Sequence, residues 1–96
     1  GGTGLSMRDV TPESTLKVAT RNVTGISEAI RYESMKYTNR AMLSRGVSVL
    51  RNQTLIINLP GSLKAVKESL DIIIDPLKHG LEILKGEAHD CARKDG

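Results

Sequence analysis

One stretch near the middle of the chain decides the fold, Thr54-Leu55-Ile56-Ile57-Asn58-Leu59-Pro60-Gly61-Ser62. Its first part is almost continuously apolar, which is typical of a β-strand covered on both faces in an α/β sheet. Pro60-Gly61 stops the strand, and Ser62 is placed to cap a helix whose apolar residues keep a helical period from Leu63 to Leu77. The stretch therefore predicts a buried strand, a Pro-Gly-Ser turn and a helix, and with them an α/β fold.

A second glycine-bearing turn opens the chain, Gly1-Gly2-Thr3-Gly4-Leu5-Ser6-Met7-Arg8-Asp9. Glycines carry no Cβ, so the backbone N–H groups can turn toward an anion, and Arg8 and Asp9 follow within reach of the same spot. Open α/β sheets bind ligands beyond the carboxyl ends of their strands, where helix N-termini present free N–H groups. We therefore expect Gly1–Gly4 and Asn58–Ser62 to lie together around a phosphorylated ligand, with Lys64 adding a positive charge.

The rest of the chain predicts short helices and one further strand. Thr11 is the predicted N-cap of a helix that runs to about Arg21, with Pro12 at its first position. A second helix is expected near residues 26–35, and a strand over 47–51 is joined to the strand over 54–59 by the turn Asn52-Gln53.

Two features of the interior also follow from the sequence. Without Phe or Trp, the core must be built from Leu, Ile, Val and Met, and we expect Met35 and Met42 to belong to it. Pro76 is expected to break or kink the last helix, because proline lacks the N–H that the helix interior needs. That helix is expected to end at Gly86.

Composition narrows the classes of function. Stacking aromatics and dense basic runs are both missing from these 96 residues, which argues against nucleic-acid binding. No apolar stretch approaches the roughly 18 residues of a membrane span. The single Cys91 excludes an internal disulfide, which fits a reducing cytosol. From Ser34 to Lys67 there is no acidic residue, so these residues form either a solvated basic face or a surface for anions.

Several residues admit more than one interpretation. Asp9 suits Mg²⁺ ligation beside phosphates, but a carboxylate there could equally pair with Arg8 or cap the following helix. Gly61 and Ser62 could serve only the geometry of an ordinary turn between strand and helix. His79 is interpreted as a helix-surface residue and His89 as a tail residue, because neither has a partner at metal-ligand spacing.

Three motifs in register resemble those of a known family. Gly1-Gly2-Thr3-Gly4, followed by Asp9-Val10-Thr11-Pro12-Glu13, resembles the signature of MogA/MoaB-type molybdenum cofactor biosynthesis proteins and of the gephyrin G domain. Met42-Leu43-Ser44-Arg45-Gly46 and Thr54 to Ser62 extend the match in the expected order. The resemblance covers residues 1 to about 85 and is closest to the MogA type.

The resemblance implies a three-layer α/β/α domain with a mostly parallel sheet, usually in a trimer. It implies binding of molybdopterin, a pterin with a dithiolene and a terminal phosphate. The MogA type adenylylates molybdopterin with Mg²⁺-ATP in the cytoplasm, giving adenylyl-molybdopterin and pyrophosphate for later molybdate insertion by a MoeA-type partner. Carried onto this sequence, Asp9 becomes the catalytic or magnesium-binding carboxylate. The expected substrate-binding residues are Gly1, Gly2, Thr3, Gly4, Arg8, Ser44, Arg45, Asn58, Pro60, Gly61, Ser62 and Lys64.

The glycine loop ought to follow a strand, and the N-terminal strands of the family are not in this sequence. We therefore expect residues 1–86 to be the C-terminal portion of one molybdopterin-binding domain and residues 87–96 to be a polar, disordered tail. Two alternatives to adenylyl transfer stay open at this point. One is a non-catalytic molybdopterin-binding or assembly module, and the other is an inactive fragment.

Overall fold

The computed structural model describes residues 1–89, with side chains as far as residue 86. The elements in chain order are α1 Thr11–Val18, β1 Arg21–Asn22, α2 Thr24–Ser34, a 3₁₀ helix Asn39–Leu43, β2 Ser48–Arg51, β3 Thr54–Ile57 and α3 Leu63–His89. The predicted α/β class is confirmed. Among these described helices, none combines the length and the apolar character needed to cross a membrane.

The described strands form one three-stranded sheet in the order β1-β2-β3. The predicted hairpin is confirmed: β2 and β3 pair with Val49 opposite Ile56, and Asn52 takes a φ of 53° in the turn. Both pairings are antiparallel, so the mostly parallel pattern is not found among these three strands. For β2 and β3 the reason is local, because a turn as short as Asn52-Gln53 can join only antiparallel neighbours.

The expectation that the strand over 54–59 is buried on both faces is wrong for the described residues. Thr54 is exposed, and Leu55, Ile56 and Ile57 are half-buried. β3 is an edge of the described sheet, whereas Ser48 and Val49 of the central strand β2 are buried. The apolar run therefore marks a surface that the described helices cover only in part.

Helices α1 and α2 contact the central strand β2, and α3 packs mainly against α2. Ser48 is 1% exposed, and its Oγ donates to the Val23 carbonyl at 2.5 Å and accepts the Ser27 N–H at 3.0 Å. This pair of bonds fixes the start of α2 on the sheet. The buried apolar residues are Ile30, Val49 and Ile73. Met35 and Met42, predicted as core, are 39% and 61% exposed, because the segment after α2 lies over the surface.

The first helix differs from its prediction at both ends. Thr11 lies inside α1 rather than at the N-cap, which is Val10. The Thr11 N–H instead donates to the Gly2 carbonyl at 3.1 Å. α1 ends at Val18 rather than near Arg21, because Arg21 and Asn22 extend to pair with β2 as the short strand β1.

The last helix begins as predicted and runs further than predicted. Ser62 caps it by accepting the Ala65 N–H at 3.2 Å. α3 passes through Pro76 to His89, so the predicted break is wrong. A proline inside a long helix removes one hydrogen bond and bends the helix without having to end it, and Pro76 is exposed on α3. The helix also extends past Gly86, and residues 90–96 of the predicted tail lie outside the described part of the chain.

Candidate functional site

The two glycine-bearing turns lie side by side, as the sequence predicted. The Gly1 nitrogen lies 3.0 Å from the Leu59 carbonyl oxygen. A Cβ placed on Gly1 would be 3.8 Å from the Gly61 Cα, which is ordinary van der Waals contact. Two turns separated by 58 residues of sequence thus form one continuous backbone surface.

The opening loop needs its glycines for geometric reasons. Gly2 has a φ of +72°, and a Cβ there would overlap the Thr11 hydroxyl. At Gly4 a Cβ would lie 2.8 Å from Oδ2 of Asp9, a carboxylate oxygen that accepts the Ser6 N–H at 3.1 Å. The loop therefore folds tightly over the start of α1 and holds the Asp9 carboxylate beneath Gly4.

Arg45 connects this loop to the rest of the molecule. Its backbone N–H donates to the Thr3 carbonyl at 2.7 Å. Its guanidinium donates to the carbonyls of Gly4 at 2.8 Å and Asp9 at 2.6 Å, and to Glu13 at 2.6 Å. Since these bonds occupy much of the guanidinium fork, Arg45 positions the loop and the Asp9 backbone.

The ion pair that ends this network is mutually stabilising. The hydrogen bond from Arg45 holds the pKa of the Glu13 carboxyl below its ordinary value, and the bond to Glu13 raises the pKa of Arg45. Both side chains reach solvent, so salt weakens the attraction.

Asn58 fixes the second turn through its side chain. Its Oδ1 accepts the Val47 N–H at 3.1 Å and its Nδ2 donates to the Thr15 Oγ1 at 2.9 Å. The Asn58 N–H also donates to the Val47 carbonyl at 2.9 Å. The amide thereby continues the β2–β3 ladder beyond its last strand residue and ties it to α1.

A cavity of about 450 Å³ lies beside both turns. The predicted site residues on its walls are Thr3, Gly4, Ser44, Asn58, Pro60 and Gly61. The other predicted residues, Gly1, Gly2, Arg8, Asp9, Arg45, Ser62 and Lys64, do not line it. Of these, Asp9 lies behind the lining residue Gly4, and Ser62 caps α3 at the cavity edge. Arg8 and Lys64 are exposed.

One whole wall of the cavity consists of residues that were not predicted from the sequence. Ser27, Ile30, Arg31 and Ser34 of α2 line it, and their spacing places them on one helical face. Arg31 also donates from Nη1 to the carbonyls of Ser44 at 3.1 Å and Gly46 at 2.9 Å. That mixed polar and apolar stripe was the available signal. On α3, Ala65 and Glu68 were missed as well.

The acid-free stretch does not fold into one basic face. Arg45 pairs with Glu13, Lys36 pairs with Glu33, and Arg51 donates to the Val18 carbonyl at the end of α1. From that stretch, the cation that lines the cavity is Arg40. Positive charge at the cavity therefore comes from Arg40 together with Arg31.

Within the described residues, no group of three or more His, Cys, Asp or Glu side chains lies close enough to hold a metal ion. Near the glycine loop, Asp9 offers a single carboxylate, and Oδ2 of that carboxylate already accepts a backbone N–H. His79 is 79% exposed on α3, in line with its interpretation as a surface residue.

Known proteins are similar to this chain in sequence and in fold. The chain is 48% identical to a molybdopterin adenylyltransferase of Haemophilus influenzae over 86 residues, covering 90% of this chain and 43% of that protein. It is 41% identical to gephyrin of Dictyostelium discoideum over 91% of this chain and 12% of that protein. The structure of the molybdopterin biosynthesis Mog protein from Mycobacterium ulcerans matches with a TM-score of 0.83 at 42% identity, covering 88% of this chain and 55% of that one.

These matches span the segments that build the site. The adenylyltransferase extends well beyond this chain, which covers less than half of its length. Residues 1–79 match the family described as "Probable molybdopterin binding domain", and that range includes the glycine loop, Arg45, Asn58 and the start of α3. The chain therefore belongs to the molybdopterin-binding domain family of molybdenum cofactor biosynthesis.

Proposed function

We propose that this chain is part of a molybdopterin adenylyltransferase, an enzyme that transfers AMP from ATP to the terminal phosphate of molybdopterin. The observation that carries the proposal is the contact between the glycine loop and the Asn58–Ser62 turn at the edge of one cavity. A volume of about 450 Å³ is in the range of small-molecule sites. The adenylyltransferase from Haemophilus influenzae supports the reaction type.

Binding follows from the groups around the cavity. The first N–H groups of α3 lack intrahelical acceptors, and the helix dipole favours an anion at this end. Ser62 uses its oxygen as the helix cap, so its hydroxyl hydrogen remains available as a donor. Arg31 and Arg40 add full positive charges on the opposite elements. These groups suit a ligand that ends in a phosphate.

The chemistry needs position and charge neutralisation more than covalent participation by the protein. A phosphate oxygen of molybdopterin forms a bond to the α-phosphorus of ATP, and the bond to the departing pyrophosphate breaks. Backbone amides and fixed cations stabilise the charge that gathers on the phosphoryl oxygens. Arg45 holds the Gly4 and Asp9 carbonyls in place, and so keeps the loop in one conformation.

Asp9 is the residue that would meet the Mg²⁺ carried by ATP. A single carboxylate fits Mg²⁺, which keeps several waters and commonly binds one or two protein carboxylates beside substrate phosphates. The metal would supply charge neutralisation between the phosphates. The Ser6 N–H orients the Asp9 carboxylate through Oδ2, and the Gly4 backbone lies directly over it.

A binding or assembly role without catalysis is the second candidate. It is favoured by the fact that, among the described residues, Asp9 supplies the one carboxylate that accepts a hydrogen bond from the glycine loop, and no group of three or more possible metal ligands lies there. Under this reading the cavity holds molybdopterin, and ATP is not turned over.

The remaining implications of the family resemblance are also proposals: a homotrimer, a cytoplasmic location and a MoeA-type molybdenum-insertion partner. Association is supported by exposed apolar side chains on α3, including Leu70, Ile74 and Ile83 at 39%, 46% and 52% exposure. The location and the partner rest on the resemblance alone.

The test is ATP-dependent pyrophosphate release by the purified chain, measured with and without molybdopterin at saturating Mg²⁺. If the chain catalyses adenylyl transfer, pyrophosphate is released only when molybdopterin is present, and adenylyl-molybdopterin is the second product. Tight molybdopterin binding without pyrophosphate would favour the binding module. If neither occurs, both proposals fail for this chain.

A further inference from the structure

The walls of the 450 Å³ cavity differ in charge. Arg31 and Arg40 lie on the wall built by α2 and the 3₁₀ helix, whereas Glu68 projects from α3 and is the acidic residue among the lining side chains. Leu5, Ile30 and Pro60 contribute apolar surface. The cavity therefore offers cations, a carboxylate and apolar contact to one ligand.

Among the described residues, Glu68 has no hydrogen bond or ion pair that would explain its place. It is half-buried, and within residues 1–86 its carboxylate has no hydrogen bond to a side chain or backbone group and no ion pair within 4.0 Å. Lys64 lies one turn earlier on α3 but does not pair with it. By contrast, Glu13 and Glu33 both have partners.

A half-buried carboxylate without a partner constrains the ligand that enters the cavity. An ionised carboxylate only accepts hydrogen bonds, and partial removal from water without a donor costs free energy. It also repels the phosphate that Arg31 and Arg40 attract. A ligand that satisfies both walls must carry an anion at one end and closely spaced N–H donors at the other.

We propose, resting on the proposed function, that Glu68 determines specificity for the pterin ring of molybdopterin. The aminopyrimidinone edge of a pterin presents the N3–H and the 2-amino group side by side, and the two carboxylate oxygens accept one hydrogen bond from each. The ring lies against the apolar lining next to Ala65, and the phosphate end points toward Arg31 and Arg40.

The experiment measures fluorescence binding of pterin-6-carboxylate and its 2-oxo analogue, lumazine-6-carboxylate, to the purified chain. The analogue puts a carbonyl oxygen where the pterin has its amino donors. For the wild type we expect a preference for the pterin of roughly tenfold or more, the scale of a bidentate carboxylate or amide contact to a base edge. Glu68→Gln should reduce that preference to about threefold or less, because an amide matches only one of the two donors.

Glu82→Gln is the matched control, since Glu82 lies on the same helix with its side chain 79% exposed. This variant should keep the wild-type preference. Circular dichroism of Glu68→Gln and a second variant, Glu68→Asp, separate loss of fold from loss of the contact. A Glu68→Gln protein that still prefers the pterin tenfold, or a wild type that binds neither probe, overturns the inference. Pyrophosphate release decides the proposed function independently of either result.

Discussion

Asn58 donates from Nδ2 to the Oγ1 of Thr15 at 2.9 Å, with both side chains at least nine-tenths buried. The Thr15 hydroxyl in turn donates to the Thr11 carbonyl at 2.9 Å. The Thr11 N–H in turn binds the Gly2 carbonyl. The chain of bonds links the two turns of the candidate site through α1, so neither turn can shift alone.

Replacement of this amide should be strongly destabilising. Asn58→Ala removes the acceptor of the Val47 N–H, while the Thr15 hydroxyl loses one bond and keeps its donation to the Thr11 carbonyl. A buried group left unsatisfied costs about 1–3 kcal/mol, and the truncated side chain also leaves space in the interior. We expect the free energy of unfolding to fall by about 2–3 kcal/mol in urea titration. Gln53→Ala, at an exposed turn position, is the control and should change little. An Asn58→Ala chain as stable as the control would remove the proposed link.

Glycine at position 2 should be required by backbone conformation. Gly2→Ala places a Cβ on a residue with a φ of +72° and against the Thr11 hydroxyl, at a cost of at least about 1–2 kcal/mol. Gly80→Ala is the opposite case, because nothing lies within 4 Å of a Cβ there and the residue is helical. It should stabilise the chain by about 0.5–1 kcal/mol. Thermal unfolding of both variants tests these predictions. Equal shifts of the melting temperature would contradict them.

The ion pair between Arg45 and Glu13 predicts a specific pH dependence. The pKa of Glu13 is lowered in the folded chain, first by its hydrogen bond with Arg45. Its contribution to stability is therefore present above its unfolded pKa and lost as pH falls through the folded value. Glu13→Gln should be less stable than the wild type at pH 7 and equal to it at low pH. A difference that persists unchanged in strong acid would assign the effect to something other than this carboxylate.

Local features such as turns and helix caps were predicted from the sequence better than contacts between distant residues. The turn at Asn52-Gln53, the Ser62 cap and the meeting of the two glycine-bearing turns were all predicted, because each depends on a few adjacent residues or on one rule of α/β topology. β1 was missed because Arg21-Asn22 has no strand pattern and extends only because β2 lies beside it. Arg45 was interpreted as a ligand contact. Its hydrogen bonds to the glycine loop and to α1 could not be predicted, because they join residues far apart in sequence. Glu68 was missed because nothing in a helical repeat marks a carboxylate that faces a cavity.

Asp9 should affect turnover more than fold. Asp9→Asn can still accept the Ser6 N–H through its amide oxygen, so the loop should persist. Loss of the charge should lower kcat for pyrophosphate release about 100-fold or more, the scale of one lost electrostatic contact in a preorganised site. Molybdopterin affinity should stay the same or rise, since its phosphate loses a repelling carboxylate. Asp71→Asn, exposed on α3, is the control. Wild-type kcat at saturating Mg²⁺ would exclude Asp9 from the reaction.

Filling the cavity with a larger side chain tests whether molybdopterin binds there. Ala65 lines the cavity from the first turn of α3, and Ala65→Leu adds apolar volume there without loss of helix propensity. The measurement is the affinity of Ala65→Leu for molybdopterin. The control is Lys67→Leu, at an exposed position of α3. We predict at least a tenfold loss of affinity for Ala65→Leu, with the unfolding midpoint unchanged and the control like wild type. Wild-type affinity in a folded Ala65→Leu chain would show that molybdopterin does not bind in this cavity.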